Sequence, residues 1–135
     1  EDLTGAIPEE FYHMESLAYL ELGSNALSGT ISSRIGRLSN LEWLSIFGNS
    51  FSGTLPTTLS NLTSLTYFSA SRNDLTGPIP DKFYDLESLT SLKIQENALT
   101  GTISTLVGQL RSLGWFGIGG NFFTGTIPTE LAEIE

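Results

Sequence analysis

Residues 41–64 read LEWLSIFGNSFSGTLPTTLSNLTS, and the next 24, residues 65–88, read LTYFSASRNDLTGPIPDKFYDLES. Laid over one another, the two lines pair Leu41 with Leu65, Leu44 with Phe68, Ile46 with Ala70, Asn49 with Asn73, Phe51 with Leu75, Gly53 with Gly77 and Leu55 with Ile79. The frame extends both ways without a slip, so that Asn25, Asn49, Asn73, Asn97 and Asn121 stand 24 residues apart. A constant period of that length marks a solenoid, one supersecondary unit stacked on copies of itself. Function is therefore sought on a repeated surface.

Spacing within the unit sets its local structure. Leu20 and Leu22 are two residues apart, so on an extended chain they point to one side while Tyr19, Glu21 and Gly23 point to the other. Each unit thus holds one short strand. The asparagine follows where the chain turns, and its amide can both donate to and accept from backbone groups that lack a strand partner; Asn25, Asn49, Asn73, Asn97 and Asn121 are expected to form a ladder inside the coil. Gly5, Gly29, Gly53, Gly77, Gly101 and Gly125 mark a second extended turn in which a positive φ or close contact excludes a side chain. Pro8, Pro56, Pro80 and Pro128 then open a short helical or 3-10 segment. Ser32 and Ser104 replace that proline in two units, which weakens the turn preference there.

The resulting pattern, LxxLxxLxLxxNxLxGxIPxxLxxLxx, covers residues 17–135 and resembles the plant-type leucine-rich repeat of receptor-kinase ectodomains, polygalacturonase inhibitors and algal secreted proteins. The resemblance implies an α/β repeat solenoid: a right-handed superhelix with a parallel β-sheet on its concave face and short helical or 3-10 segments on its convex face. The expected units are a partial repeat at 1–16 and full repeats at 17–40, 41–64, 65–88, 89–112 and 113–135. The paired-cysteine caps typical of such stacks are absent, which reads as part of a longer solenoid. The resemblance also favours an extracellular, secretory or organelle-lumen setting.

Composition narrows the function classes. Net charge is −9, with 15 acidic and 6 basic residues and no basic stripe. Phosphate neutralisation needs clustered Lys and Arg, so nucleic acid is disfavoured as a partner, and anionic membrane surface with it. No apolar run is long enough to span a bilayer. The chain has no Cys and one His, His13, in a variable column. No cofactor, zinc site or nucleophile and base pair is expected, and the chain reads as non-enzymatic. Asn61-Leu62-Thr63 spells an N-glycosylation acceptor, although a repeat column can spell it by coincidence.

The strand's outward columns vary where the others do not. The first reads Tyr19, Trp43, Tyr67, Ser91, Trp115; the next Glu21, Ser45, Ser69, Lys93, Gly117; the third Gly23, Phe47, Ser71, Gln95, Gly119. With strands about 4.8 Å apart, Tyr19, Trp43 and Tyr67 form an aromatic strip flanked by Phe47, with Arg72, Asp74, Lys93 and Glu96 as its polar rim and Trp115 beside a bare patch of Gly114, Gly117, Gly119 and Gly120. Aromatic residues with a polar handle are common interface anchors. The alternative is that the rings only stabilise the sheet, by roughly 0.2–1 kcal/mol per pair. The leading expectation is a protein or peptide recognition module. Alternatives are a structural or accessory subunit of a larger assembly, including a photosynthetic membrane complex, and carbohydrate binding by ring stacking or inhibition of a wall-degrading hydrolase.

Overall fold

A computed structural model describes residues 2–134. Two parallel sheets run the length of the stack. One is built from β2 (Tyr19–Glu21), β4 (Trp43–Ser45), β6 (Tyr67–Ser69), β8 (Ser91–Lys93) and β10 (Trp115–Gly117), each paired to the next coil's strand in one register. Its central residues Leu20, Leu44, Phe68 and Leu92 are buried. We call it the aromatic sheet.

The other, the glycine sheet, consists of β1 (Thr4–Gly5), β3 (Ala26–Thr30), β5 (Ser50–Gly53), β7 (Asp74–Gly77) and β9 (Ala98–Leu99). It is what the expected second turn becomes. At its edge Gly53 has φ 77°, and a Cβ there would lie 3.1 Å from the Thr30 methyl of the preceding coil. Both the left-handed backbone and the close stacking require glycine.

Between the glycine sheet and the next strand of the aromatic sheet the chain makes one 3-10 helix per coil: Glu9–His13, Ser33–Arg37, Thr57–Asn61, Asp81–Asp85, Thr105–Gln109 and Thr129–Glu133. Each follows an extended residue with φ between −60° and −71°. Four of these are proline. Ser32 and Ser104 hold the same geometry and add a cap, since their hydroxyl oxygens accept from the Arg34 and Leu106 amides at 3.2 and 3.3 Å. The expected weakness at those two coils is therefore offset, because a serine oxygen satisfies a first-turn N–H that proline would leave open.

The same two serines sit beside buried phenols. Burial is the main cause that pushes the Tyr12 and Tyr84 hydroxyls above their ordinary pKa, and the backbone of Ser32 or of Ser104 pulls the other way. The Tyr84 Oη nonetheless has no partner in hydrogen-bonding geometry.

The interior is a single stripe of aliphatic and aromatic side chains from Tyr12 to Leu113. The asparagine amides bind it together along the stack. Asn73 Oδ1 accepts from the Phe51 amide of the preceding coil at 2.9 Å, while its Nδ2 donates to the Ile46 and Ala70 carbonyls at 3.0 and 3.1 Å. Asn25, Asn49, Asn97 and Asn121 accept in the same way from Leu3, Leu27, Leu75 and Leu99. No helix among the described residues is long and apolar enough to cross a membrane.

Candidate binding surface

Register alone places Tyr19, Trp43 and Tyr67 side by side on β2, β4 and β6. The Tyr19 and Trp43 ring centroids are 5.1 Å apart with planes 12° from parallel, and Trp43 and Tyr67 are 3.6 Å apart at 4°. The rings therefore stand on edge, like plates in a rack. Trp43 Nε1 donates to Glu21 Oε2 at 3.3 Å, and Glu21 Oε1 accepts from the Gly23 amide at 2.9 Å, so a backbone-anchored carboxylate holds the indole.

This orientation limits where a sugar ring can stack. Stacking a sugar needs a free ring face, and both faces of Trp43 are taken by its neighbours. Tyr19 and Trp115, each more than half exposed, offer the open faces.

Beside the strip lies a trough of about 520 Å³. Phe47, Tyr67, Arg72, Lys93 and Glu96 line it, together with Glu21, Ser45, Ser69, Ser71 and Gln95. Tyr19, Trp43 and Trp115 are on the same sheet outside the trough. Asp74 is elsewhere: it opens β7 in the glycine sheet and is exposed. The glycine patch near Trp115 is only partly bare, because the Gln95 amide fills the space above Gly117 while Gly119 has nothing within 4 Å of a built Cβ. Gln95 is held there by the Ser71 hydroxyl, which donates to its Oε1 at 2.7 Å.

Charge in the trough is partly paired. Arg72 Nε lies 3.0 Å from Glu96 Oε2, both side chains being about 60% exposed, and the guanidinium sits 5.6 Å from the Phe47 ring centroid. Arg72 and Glu96 occupy a backbone column that is left-handed in every coil, with Ser24 at φ 55°, Gly48 at 63°, Arg72 at 55°, Glu96 at 54° and Gly120 at 67°. Glycine adopts this conformation freely, whereas a side chain there costs roughly 1–2 kcal/mol. The residues missed by sequence reading, Glu21, Ser45, Ser69, Ser71 and Gln95, belong to the same outward columns. Their signal was smallness or polarity beside large aromatics.

His13 is exposed at the end of the first 3-10 helix. Asn61 is exposed at the end of the third, with its Nδ2 3.0 Å from where a Gly36 Cβ would stand.

Stacked coils of 24 residues, an asparagine ladder, two parallel sheets and 3-10 turns define the architecture. The Leucine Rich Repeat family model matches residues 40–62 and 64–86. The chain's repeats are plant-type leucine-rich repeats. Among solved structures, the repeats are similar to a plant peptide hormone receptor, RGFR1 in complex with RGF2, at 36% identity and a TM-score of 0.96, covering 98% of this chain and 21% of that one. They are also similar to the Arabidopsis receptor kinase HAESA in complex with the peptide hormone IDA and the co-receptor SERK1, at 31% identity and TM-score 0.95, covering 98% and 23%. A plant ice-binding protein matches at 32% identity and TM-score 0.89, covering 98% and 43%. The chain thus spans under a quarter of the length of those two receptor chains. No curated protein matches it.

Proposed function

We propose that these leucine-rich repeats form part of a non-catalytic recognition surface that binds an extended peptide across the aromatic sheet, on the concave side of the solenoid. The observation that carries this reading is the ring stack of Tyr19, Trp43 and Tyr67 beside a polar trough. In a solenoid whose leucines already fill the interior, such a strip is not needed as core. Upright rings offer a row of edges, which suits apolar contact with an extended chain laid across them. Arg72 and Glu96 accept left-handed strain in a column where glycine is available, and strained residues of this kind cluster at binding sites. The peptide hormone complexes of two structural neighbours favour the same ligand class.

The test is selection of a displayed random-peptide library on the protein, followed by Trp43→Ala with Tyr67→Ala. Selected peptides are expected to lose at least about 2 kcal/mol, roughly thirtyfold in Kd. The melting temperature should move little, since each cross-strand pair contributes roughly 0.2–1 kcal/mol. Peptides that bind the double variant as well as the parent would discard the concave reading.

A second reading rests on the glycine sheet. Its exposed side chains include two columns of hydroxyl residues, Thr30, Thr54, Thr102 and Thr126 in one, interrupted by Pro78, and Ser52, Thr76, Thr100 and Thr124 in the other; the sheet register sets Thr30 beside Ser52 and Thr102 beside Thr124. Ser52, Thr76 and Thr124 are fixed by donating to Gly29, Gly53 and Gly101 carbonyls at 3.3–3.4 Å. An exposed set of oxygens and methyl groups of this kind suits an ordered water surface, the ligand named for the plant ice-binding protein. Inhibition of ice recrystallisation by the protein, lost in Thr54→Tyr, is the expected result; no inhibition by the parent protein removes this reading.

A further inference from the structure

The outward column Tyr19, Trp43, Tyr67, Ser91, Trp115 lacks a ring at one place. Its members are in register on consecutive strands, so Tyr67 and Trp115 face each other across β8 at two strand spacings, roughly 9.6 Å. The filled steps of the same stack measure 5.1 and 3.6 Å. The gap above Ser91 therefore has room for one more ring between the two that bound it. It is occupied by the Lys93 ammonium, 5.0 Å from the Tyr67 centroid and 5.8 Å from that of Trp115. The described ion pairs are Arg34 with Glu9, Arg72 with Glu96 and Lys82 with Asp85. Lys93 has no carboxylate partner among the described residues.

We propose that Ser91 is a seat for an aromatic side chain of a peptide ligand, which inserts between Tyr67 and Trp115 and completes the stack, while a carboxylate of the same peptide is held by Lys93. This rests on the reading that the aromatic sheet binds a peptide, and it narrows the ligand to peptides that carry an aromatic residue next to an acidic group. Lys93 is half-buried, and its ammonium, without a carboxylate partner among the described residues, is held by the ring faces alone. Moving it to the rim exchanges that contact for a charge-assisted hydrogen bond to the ligand, and the ligand ring takes over both faces. A cationic peptide would meet Lys93 head on, and an aliphatic side chain would leave the two faces without a stacking partner.

The experiment titrates N-acetyl-L-phenylalanine, its amide, N-acetyl-L-leucine and D-glucuronate into the protein and follows the two indole N–H resonances, Trp43 and Trp115, by NMR. N-acetyl-phenylalanine is expected to shift the Trp115 resonance saturably, with the amide roughly tenfold weaker through loss of one charge-assisted contact. Lys93→Met should bring the two to equal affinity, and Ser91→Phe, which fills the seat from within, should abolish the shift. Absence of a saturable shift, equal binding of the leucine derivative or glucuronate, or unchanged binding by Ser91→Phe overturns the proposal. Should Ser91→Phe fold poorly, the Lys93→Met comparison decides alone. Library-selected peptides that lose binding in the Trp43 and Tyr67 double variant yet bind Ser91→Phe unchanged would sink the seat and leave the peptide surface standing.

Discussion

Asn73→Ala is expected to lower the unfolding free energy by about 3 kcal/mol, near 10 °C in melting temperature for a chain of this length. The side chain is 8% exposed and joins two coils. Its loss does not orphan every group it touches. The Ile46 carbonyl keeps the Asn49 amide at 3.1 Å, and the Ala70 carbonyl keeps the Asn97 amide at 2.9 Å. The Phe51 N–H has no such reserve, because Asn73 Oδ1 is its acceptor at 2.9 Å in a buried position. A buried amide without a partner is the expensive item, and the vacated space adds a small cavity. Asn25→Ala should cost much less, since the Leu3 amide that it receives is exposed to water. Thermal or denaturant unfolding of both variants checks this; equal losses at the two positions, or an unchanged melting curve for Asn73→Ala, would show that the amides do not couple the coils as argued.

The redundancy of the ladder explains why the fold was so legible. A period that recurs without a slip states the same in-or-out choice for each column several times over, so an atypical residue such as Ala70 in a column of Leu and Ile does not obscure it. The 3-10 turns and the strand of the aromatic sheet follow from those columns. What the columns do not state is how adjacent coils touch. That Ser104 caps its own helix while lying beside Tyr84 of the coil before joins residues 20 apart in sequence. Neither residue is unusual alone.

The candidate surface was legible in the same partial way. Alternation put Tyr19, Trp43 and Tyr67 outside the core, but it says nothing of ring orientation. The strand spacing, close to the thickness of a stacked ring pair, turns the rings on edge and removes the faces of Trp43 from use. The trough was harder still, since its floor is Ser45, Ser69 and Ser71, side chains with no chemistry of their own to announce them. Asp74 was misplaced because it adjoins Asn73, where the chain passes from one sheet to the other. Sequence adjacency carries it away from the strip.

Phe68→Ala should cost about 3–5 kcal/mol, a loss at the top of the range for core truncations. That is a large share of the 5–15 kcal/mol that holds a typical domain together. The reason lies in an exchange of volume within one coil. In the column of Leu20, Leu44 and Leu92, the third coil has Phe68, as the fifth has Phe116; in the column of Leu22, Ile46, Ile94 and Ile118, the third coil alone has a small residue, Ala70. Phe68 and Ala70 are fully buried and point to the same side of β6, and the Phe68 ring meets Phe83 at 5.8 Å between centroids. The larger ring is expected to fill space that the alanine leaves. Ala70→Ile on its own should overpack this region by about 1–3 kcal/mol. Phe68→Leu combined with Ala70→Ile restores the pattern of the neighbouring coils, and its loss is expected to be smaller than the sum of the two single losses, a coupling that a double-mutant cycle reads directly. Strict additivity would mean that the two side chains do not share the same space, and that the third coil tolerates its odd composition for some reason other than packing.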